Sequence, residues 1–279
     1  MRIAIYQCEG KPACTQDNLE ILHQSALAAA AQGAQLLICP EMFLTGYHIG
    51  NKVFELAETV EGPSTQNAAQ IAREANIALL YGYPERSETV VFNSAILIDH
   101  NGNRLANYRK THLYGQEETR LFHPGDYLIV AELEGLKVGL LICYDIEFPE
   151  AVRALALAGA EFIAVPTALM EPHCWISRLV VPTRAVENQV FVAYVNRCGH
   201  EDDLNYCGSS CIVGPDGIDR VRTGSAERLC VVDINPADLR ASREKFPYLS
   251  DLRSALYLNP VRKAAGVSDE PSSDEGQPN

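Results

Sequence analysis

The sequence alternates between short apolar runs and longer alanine-rich stretches in which apolar residues recur at helical spacing. Residues 35–39 and 161–167 are rich in Ile, Leu and Val and have the length of buried strands, whereas residues 17–32, 64–76 and 178–188 have the pattern of amphipathic helices. Strands that alternate with helices of these lengths indicate an α/β fold. All-helical and all-β architectures are therefore excluded.

A segment of the chain has an echo 126 positions later. Residues 33–41 read GAQLLICPE and residues 159–167 read GAEFIAVPT, and each segment follows an alanine-rich helix. The echo predicts two similar helix–strand units in a pseudo-symmetric layered body. A helix stop followed by a buried strand gives the same pattern without any duplication, so both origins stay open.

Composition and charge narrow the classes of protein. The chain has 279 residues, is 47% hydrophobic and carries a formal charge of −13, which excludes collagen-like and largely disordered chains. No nucleic-acid partner is expected, because the few basic residues are not clustered. A cationic ligand is compatible with the negative electrostatic potential of such an acidic chain. Residues 1–260 are expected to form one domain, and residues 261–279, which end in an acidic and proline-containing stretch, a disordered tail.

The chain shows no sign of export. The first ten residues lack the long apolar stretch of a signal peptide, and no apolar run is long enough to span a membrane, so we expect a cytoplasmic protein with no membrane partner. Its nine cysteines are an odd number and are expected to be reduced. Cys198, His200, Cys207 and Cys211 allow a zinc site only weakly, so no metal is predicted.

Three reactive side chains each follow a strand-like run. Glu41 follows LLICP, Lys110 follows NYR, and Cys143 follows GLLI. Strand ends that face one crevice are the usual site in α/β proteins, and a thiol at a strand-to-helix turn can meet backbone N–H groups that stabilise an oxyanion. Taken singly, each residue has a structural alternative: a core cysteine, a surface acid or an edge-strand lysine. Cys143 with His112 also leaves open a Cys–His hydrolase.

Together, the three segments resemble the nitrilase, or carbon–nitrogen hydrolase, superfamily. The motifs P-E-x-x-L-x-G-Y, Y-R-K-x-H-L and C-Y-D-x-x-F-P-E occur there in this order, and the resemblance covers about residues 1–255. It implies a single-domain, four-layer α-β-β-α sandwich. Supporting segments are F-x-P-G at 122–125, R-A-x-E-N at 184–188 and G-P-D-G at 214–217.

The resemblance also implies roles for the three residues. Glu41 would be the general base, Lys110 the oxyanion and positioning residue, and Cys143 the nucleophile of a Glu–Lys–Cys triad. The family often has a second acid after the lysine, and Glu118 is preferred over Glu117 because of its spacing to the following Pro-Gly. The residues expected to bind the oxyanion or the substrate are Tyr144 and Tyr114.

The implied reaction needs no cofactor or metal. The resemblance is strongest to the amidase branch, in which a small aliphatic primary amide is cleaved through a thioester, here with an ammonium at the substrate's far end. Glu201, Asp202 and Asp203 are candidates for binding that ammonium, unless they form a solvated acidic loop. A homodimer or a larger homo-oligomer is expected. A nitrilase, an N-carbamyl amide hydrolase, a guanidinobutyramide hydrolase and a non-catalytic assembly subunit remain alternatives.

Overall fold

A computed structural model describes residues 1–257, so the tail predicted for 261–279 lies outside the described residues. Residues 1–249 form one compact unit, and residues 250–257 group separately from it. The helices are α1 (Thr15–Ala30), α2 (Lys52–Leu56), α3 (Pro63–Ala75), α4 (Gly115–Leu121), α5 (Pro149–Leu157), α6 (Val181–Asn188), α7 (Pro236–Lys245) and α8 (Tyr248–Asp251). Further turns are 3-10 helical at Cys143–Glu147 and Ser254–Leu256 and π-helical at Ile176–Val180.

Two six-stranded sheets form the centre of the compact unit, and residues 200–205 form a small two-stranded hairpin. The strands are β1 (Arg2–Gln7), β2 (Leu36–Ile38), β3 (Ala78–Ser87), β4 (Val90–Ile98), β5 (Arg104–Arg109), β6 (Ile129–Leu133), β7 (Leu136–Leu140), β8 (Phe162–Thr167), β9 (Phe191–Asn196), β10 (His200–Glu201), β11 (Leu204–Asn205), β12 (Cys211–Val213), β13 (Asp219–Arg222) and β14 (Arg228–Asp233). The first sheet has the order β14-β1-β2-β3-β4-β5, and the second β13-β12-β9-β8-β7-β6.

The apolar faces of these elements build four layers. One core cluster joins α1 and α3 to the outer face of the first sheet, through residues such as Leu22, Ala72 and Leu37. A second cluster fills the space between the sheets and continues to α5 and α6. Burial of these aliphatic side chains is the main term that favours such packing. The predicted α-β-β-α sandwich is confirmed.

The sequence echo lies at matching places in the two sheets. β2 is the middle of the three parallel strands β1, β2 and β3, and β8 is the middle of the parallel strands β7, β8 and β9. In each set helical segments separate the successive parallel strands, and two antiparallel strands extend the sheet beyond the set, β4 and β5 in the first sheet and β12 and β13 in the second. The predicted pseudo-symmetric body is therefore present, and the carboxyl ends of both parallel sets carry the residues of interest.

The cysteines correct one expectation. Cys174 and Cys207 form a disulfide, so the prediction that all nine thiols are reduced is wrong for this pair. The bond closes a loop of 33 residues, between the chain after β8 and the chain before β12. Cys207 is also one of the four residues of the zinc alternative, and in the disulfide it cannot bind a metal as a thiolate. None of the helices in residues 1–257 combines the length and the apolar character needed to cross a bilayer.

Candidate active site

A lysine held between two carboxylates is the centre of the site. The Lys110 Nζ donates to Glu41 Oε1 at 2.8 Å and to Glu118 Oε1 at 2.6 Å. All three side chains are buried. Burial of charged groups has a large unfavourable desolvation free energy unless every charge is hydrogen-bonded. A buried ion cluster is therefore a candidate for a catalytic role and not only a stabilising one.

Strand ends bring this cluster together from distant parts of the chain. Glu41 lies three residues after β2, Lys110 directly follows β5, and Glu118 lies on α4. Gly82 of β3 lets the Glu41 segment approach, because a Cβ there would overlap the backbone nitrogen of Met42 and lie 2.8 Å from the Glu41 Cα. The segment that carries Glu41 is thus packed directly against the backbone of β3.

The two oxygens of Glu41 have different surroundings. Oε1 accepts from Lys110 and, at 2.7 Å, from the Asn93 Nδ2, whereas Oε2 is buried and has no hydrogen-bond partner among the described residues. Burial raises the pKa of Glu41, the charge of Lys110 lowers it, and Glu118 raises it again, so that the pKa lies above its usual range. Oε2 is therefore free to accept a proton.

Lys110 keeps its charge in spite of its burial. Burial lowers the pKa of Lys110, but the charges of Glu118 and Glu41 outweigh it, and the pKa lies well above its usual range. The lysine is therefore a permanent cation at neutral pH, and it can balance negative charge that develops near it.

Cys143 opens the 3-10 turn that follows β7, and its φ of 46° is unusual for a residue with a side chain. The residue keeps some exposure, but it packs against the core and its thiol is desolvated. Burial and the charge of Glu41 raise the pKa of its thiol well above the usual range, while Lys110 and the backbone N–H of Ala168 act in the opposite direction. The resting group is a neutral thiol that needs a base.

Asp145 ties the Cys143 turn to the end of β5. Its buried carboxylate accepts from the Tyr108 hydroxyl, the Thr111 hydroxyl, the backbone N–H groups of His112 and Ile142, and the His112 Nδ1, at 2.8–3.0 Å. The His112 ring also stacks on Phe148 at 3.8 Å. His112 is therefore engaged with Asp145, and nothing here favours the Cys–His alternative.

The structure distinguishes between the two candidate second acids. Glu118 contacts Lys110, and its oxygens also accept from the Tyr47 hydroxyl at 2.8 Å and the Tyr114 N–H at 2.7 Å. Glu117 is exposed and pairs with Arg120 at 2.6 Å. Glu118 belongs to the cluster and Glu117 does not.

Beside the cluster lies a cavity of about 370 Å³. Tyr114 lines it, and the Tyr114 ring packs edge-on against Tyr144 with centroids 5.3 Å apart. Both tyrosines therefore lie at the predicted site, Tyr144 directly after the thiol. The other residues that line the cavity are Tyr47, His48, Gly50, Gly115, Gln116, Glu117, Glu118, Leu121, Phe122, Met170, Glu171, His173 and Leu204.

Glu201 has a different place from the one expected. It is buried; one oxygen contacts the Arg197 Nη2 at 2.5 Å, and the other accepts from the N–H groups of Tyr47 and His48. It is neither a solvated loop acid nor free for an ammonium, so both expectations for it are wrong. Asp202 and Asp203 are exposed, and Asp203 contacts the His48 Nε2 at 3.2 Å.

Arg197, at the end of β9, is the largest fully buried side chain, and sequence reasoning missed it. Its Nη1 contacts the carbonyl oxygens of Glu41 and Met42 at 3.3 Å, and its Nη2 donates to the Glu9 carbonyl at 2.6 Å. Asn93 and Tyr47 were also missed. A polar residue inside the apolar run VVFNSAILI was the available signal for Asn93.

A four-layer sandwich that presents Glu41, Lys110 and Cys143 after its strands, with Glu118 added from α4, has the arrangement of a cysteine hydrolase. Residues 2–244 match the carbon-nitrogen hydrolase family, and the chain belongs to it. The match covers most of the chain. The predicted nitrilase-superfamily membership is thereby confirmed.

The relatives agree with this class. The chain is 49% identical to a "Hydrolase in pqqF 5'region" of Pseudomonas protegens, over 92% of this chain and 90% of that protein. It is 37% identical to an (R)-stereoselective amidase of Pseudomonas sp., over 92% and 93%. An amidase structure from Nesterenkonia sp. AN1, with acrylamide added at its active site cysteine, has a TM-score of 0.84 and 38% identity, over 92% and 98%. These findings confirm the predicted enzyme class, a hydrolase of carbon–nitrogen bonds related to amidases.

Proposed function

We propose that the protein hydrolyses 5-aminopentanamide to 5-aminopentanoate and ammonia through a thioester on Cys143. The observation that carries the amide chemistry is the buried Glu41–Lys110–Glu118 cluster at the strand ends that also present the thiol. A neutral thiol, a carboxylate with a free oxygen and a fixed cation are the groups that acyl transfer needs.

In the first half of the reaction, Glu41 Oε2 takes the thiol proton as Sγ attacks the amide carbon. The C=O electron pair moves to oxygen, and the charge of Lys110 with the Tyr144 N–H stabilises that oxyanion. Because burial raises the pKa of both Glu41 and Cys143, the proton moves between two groups that resist ionisation in the same environment.

In the second half, the C–N bond breaks and Glu41 returns its proton to the leaving nitrogen, so that ammonia departs and a thioester remains. Water then attacks the thioester carbon, with Glu41 or Glu118 accepting its proton. Sγ leaves, is reprotonated, and the carboxylate is released. Lys110 stays charged throughout, which fits the direction of its pKa.

Long runs of sequence support the choice of substrate, because they resemble 5-aminopentanamidase (δ-aminovaleramidase), an enzyme of lysine breakdown. The acidic chain also suits a cationic substrate. The runs are CPEMFLTGYHIG, YGYPER, NYRKTHLYG, VGLLICYDIEFPE and FPYLSDLR. We also propose that the protein is cytoplasmic and forms a homo-oligomer. Light scattering of the purified protein measures the mass of the assembly and tests the second proposal.

A substrate panel with ammonia release as the readout tests the proposal. It contains 5-aminopentanamide, neutral pentanamide, pentanenitrile and N-carbamylputrescine. The highest kcat/KM is expected for 5-aminopentanamide, and equal values for it and pentanamide would remove any role for the ammonium. Cys143→Ala is expected to abolish turnover while the thermal unfolding curve stays cooperative, and activity in this variant would refute the thioester mechanism.

A further inference from the structure

The cavity beside the catalytic cluster has an acidic lining. Glu117, Glu118 and Glu171 line it, and the described residues around it include no lysine or arginine. Because Glu118 also contacts Lys110, the cavity adjoins the catalytic cluster directly. The part of a substrate that lies beyond its reacting amide therefore enters a space whose electrostatic potential favours positive charge.

Glu171 is the acid of this lining that has no partner. Glu118 already accepts from three donors, and Glu117 is paired with an arginine of its own helix. The Glu171 carboxylate makes no hydrogen bond and no ion pair with any residue between 1 and 257. The nearest basic side chain in sequence, His173, has its Nε2 3.5 Å from the Tyr114 hydroxyl. The Glu171 carboxylate is therefore available to a cation that enters the cavity.

The backbone around Glu171 is held in place. The Glu171 N–H donates to the carbonyl oxygen of Asn205 at 2.9 Å. The disulfide between Cys174 and Cys207 ties the same two segments together three positions further on. A carboxylate on a fixed backbone loses less conformational entropy when it binds a ligand than one on a mobile loop.

The segment that carries Glu171 starts beside the thiol. β7 and β8 are parallel neighbours, so the chain that follows β8 lies next to Cys143, which follows β7, and the Ala168 N–H hydrogen-bonds to the thiol. Three residues of chain cover at most about 10 Å between Ala168 and Glu171. In an extended 5-aminopentanamide the nitrogen of the ammonium lies about 6 Å beyond the amide carbon, from standard bond lengths. These lengths allow the Glu171 carboxylate to contact that nitrogen while the amide carbon is at the thiol.

We propose that Glu171 binds the terminal ammonium of the substrate and selects amides with a cation at their far end over neutral amides of the same length. This inference rests on the proposed function. Glu171 is exposed, so water screens its charge in part, and the contact is expected to lie between an exposed ion pair and a desolvated charge-assisted hydrogen bond in strength. A neutral amide makes no such contact.

The test compares kcat/KM for 5-aminopentanamide and pentanamide in the full-length enzyme and in its variants. Glu171→Gln is expected to lose about 5- to 15-fold for 5-aminopentanamide and to stay within about 2-fold for pentanamide. Glu171→Asp keeps the charge and is expected to retain more of the preference than Glu171→Gln. Glu117→Gln is the matched control, because it removes a charge that lines the same cavity but is paired on its helix, and it is expected to keep the wild-type preference.

The outcomes separate the two proposals. If the wild-type enzyme treats both amides alike, the proposed substrate is wrong and Glu171 has no ammonium to bind. If the wild-type enzyme prefers 5-aminopentanamide and Glu171→Gln keeps that preference, or loses both activities equally, the role of Glu171 is overturned and the substrate stands. An equal loss of preference in Glu117→Gln would show a general effect of the charge of the cavity, and it would also overturn the specific role of Glu171.

Discussion

Replacement of Asn93 by alanine tests how a neighbouring hydrogen bond sets the pKa of the general base, Glu41. The Asn93 Nδ2 donates to the same Glu41 oxygen that Lys110 contacts, at 2.7 Å, and both side chains are buried. This hydrogen bond favours the ionised form of Glu41 and lowers its pKa against burial. Without it, the pKa of Glu41 rises further. Because the mechanism needs ionised Glu41, the acid limb of kcat/KM is expected to move to higher pH.

The size of the shift follows from the bond that is lost. A hydrogen bond to a charged group contributes about 1.5–3 kcal/mol. One pKa unit corresponds to about 1.4 kcal/mol, so the limb moves up by about 1–2 pH units. The apparent pKa belongs to the coupled Glu41–Lys110–Glu118 set, and the displacement between variant and wild type is the informative quantity.

Ser94→Ala is the matched control for this measurement. Ser94 is the next residue of β4, is also buried, and donates at 2.7 Å to a different carboxylate, that of Glu85. Both variants lose one buried donor to an acid, but only Asn93→Ala acts on Glu41. The assay is kcat/KM for an amide substrate from acid to neutral pH, with thermal unfolding as a check on the fold. An unmoved limb in Asn93→Ala, or an equal displacement in Ser94→Ala, refutes the reasoning.

Three further predictions concern positions that hold the site together. Gly82→Ala forces its Cβ into the Met42 backbone, and a loss of kcat/KM of about 100-fold or more is expected from the displaced base; wild-type kinetics would contradict it. Asp145→Asn cannot satisfy five donors, and urea unfolding should show a loss of about 2–4 kcal/mol, whereas less than about 1 kcal/mol would argue against the network. Glu201→Gln leaves Arg197 with an unpaired buried charge, with an expected loss of about 3–5 kcal/mol; an unchanged unfolding midpoint would show that the pair is dispensable.

The parts that the sequence predicted are those written in local patterns. The run before Glu41 and the run before Cys143 are short and apolar, so their strands and the strand-end positions of both residues could be read directly. Lys110 follows β5 in the same way. The echo between residues 33–41 and 159–167 predicted the repeated parallel sets of the two sheets. A glycine that ends a helix and the apolar run of a buried strand can both be recognised in the sequence.

The partners of these residues could not be predicted, because they come from segments that are distant in sequence and meet only in the tertiary structure. Asn93 lies 52 positions from Glu41, and nothing near either residue encodes their contact. Glu201 lies in a run of acids that is typical of a solvated loop, and only the folded chain shows that it is buried against Arg197. The Cys174 pairing depends in the same way on two segments that meet after folding.

Arg197 has a consequence for how the active enzyme comes into being. Its guanidinium belongs to the second repeat but contacts the carbonyl oxygens of Glu41 and Met42 in the first, across 156 and 155 positions of chain. Contacts of such long range are expected to form late on a folding pathway. The helices and the parallel strands of each repeat can then form before the segment that carries Glu41 is fixed. Recovery of turnover during refolding therefore reports the docking of the two repeats, and it is expected to lag behind the recovery of secondary structure.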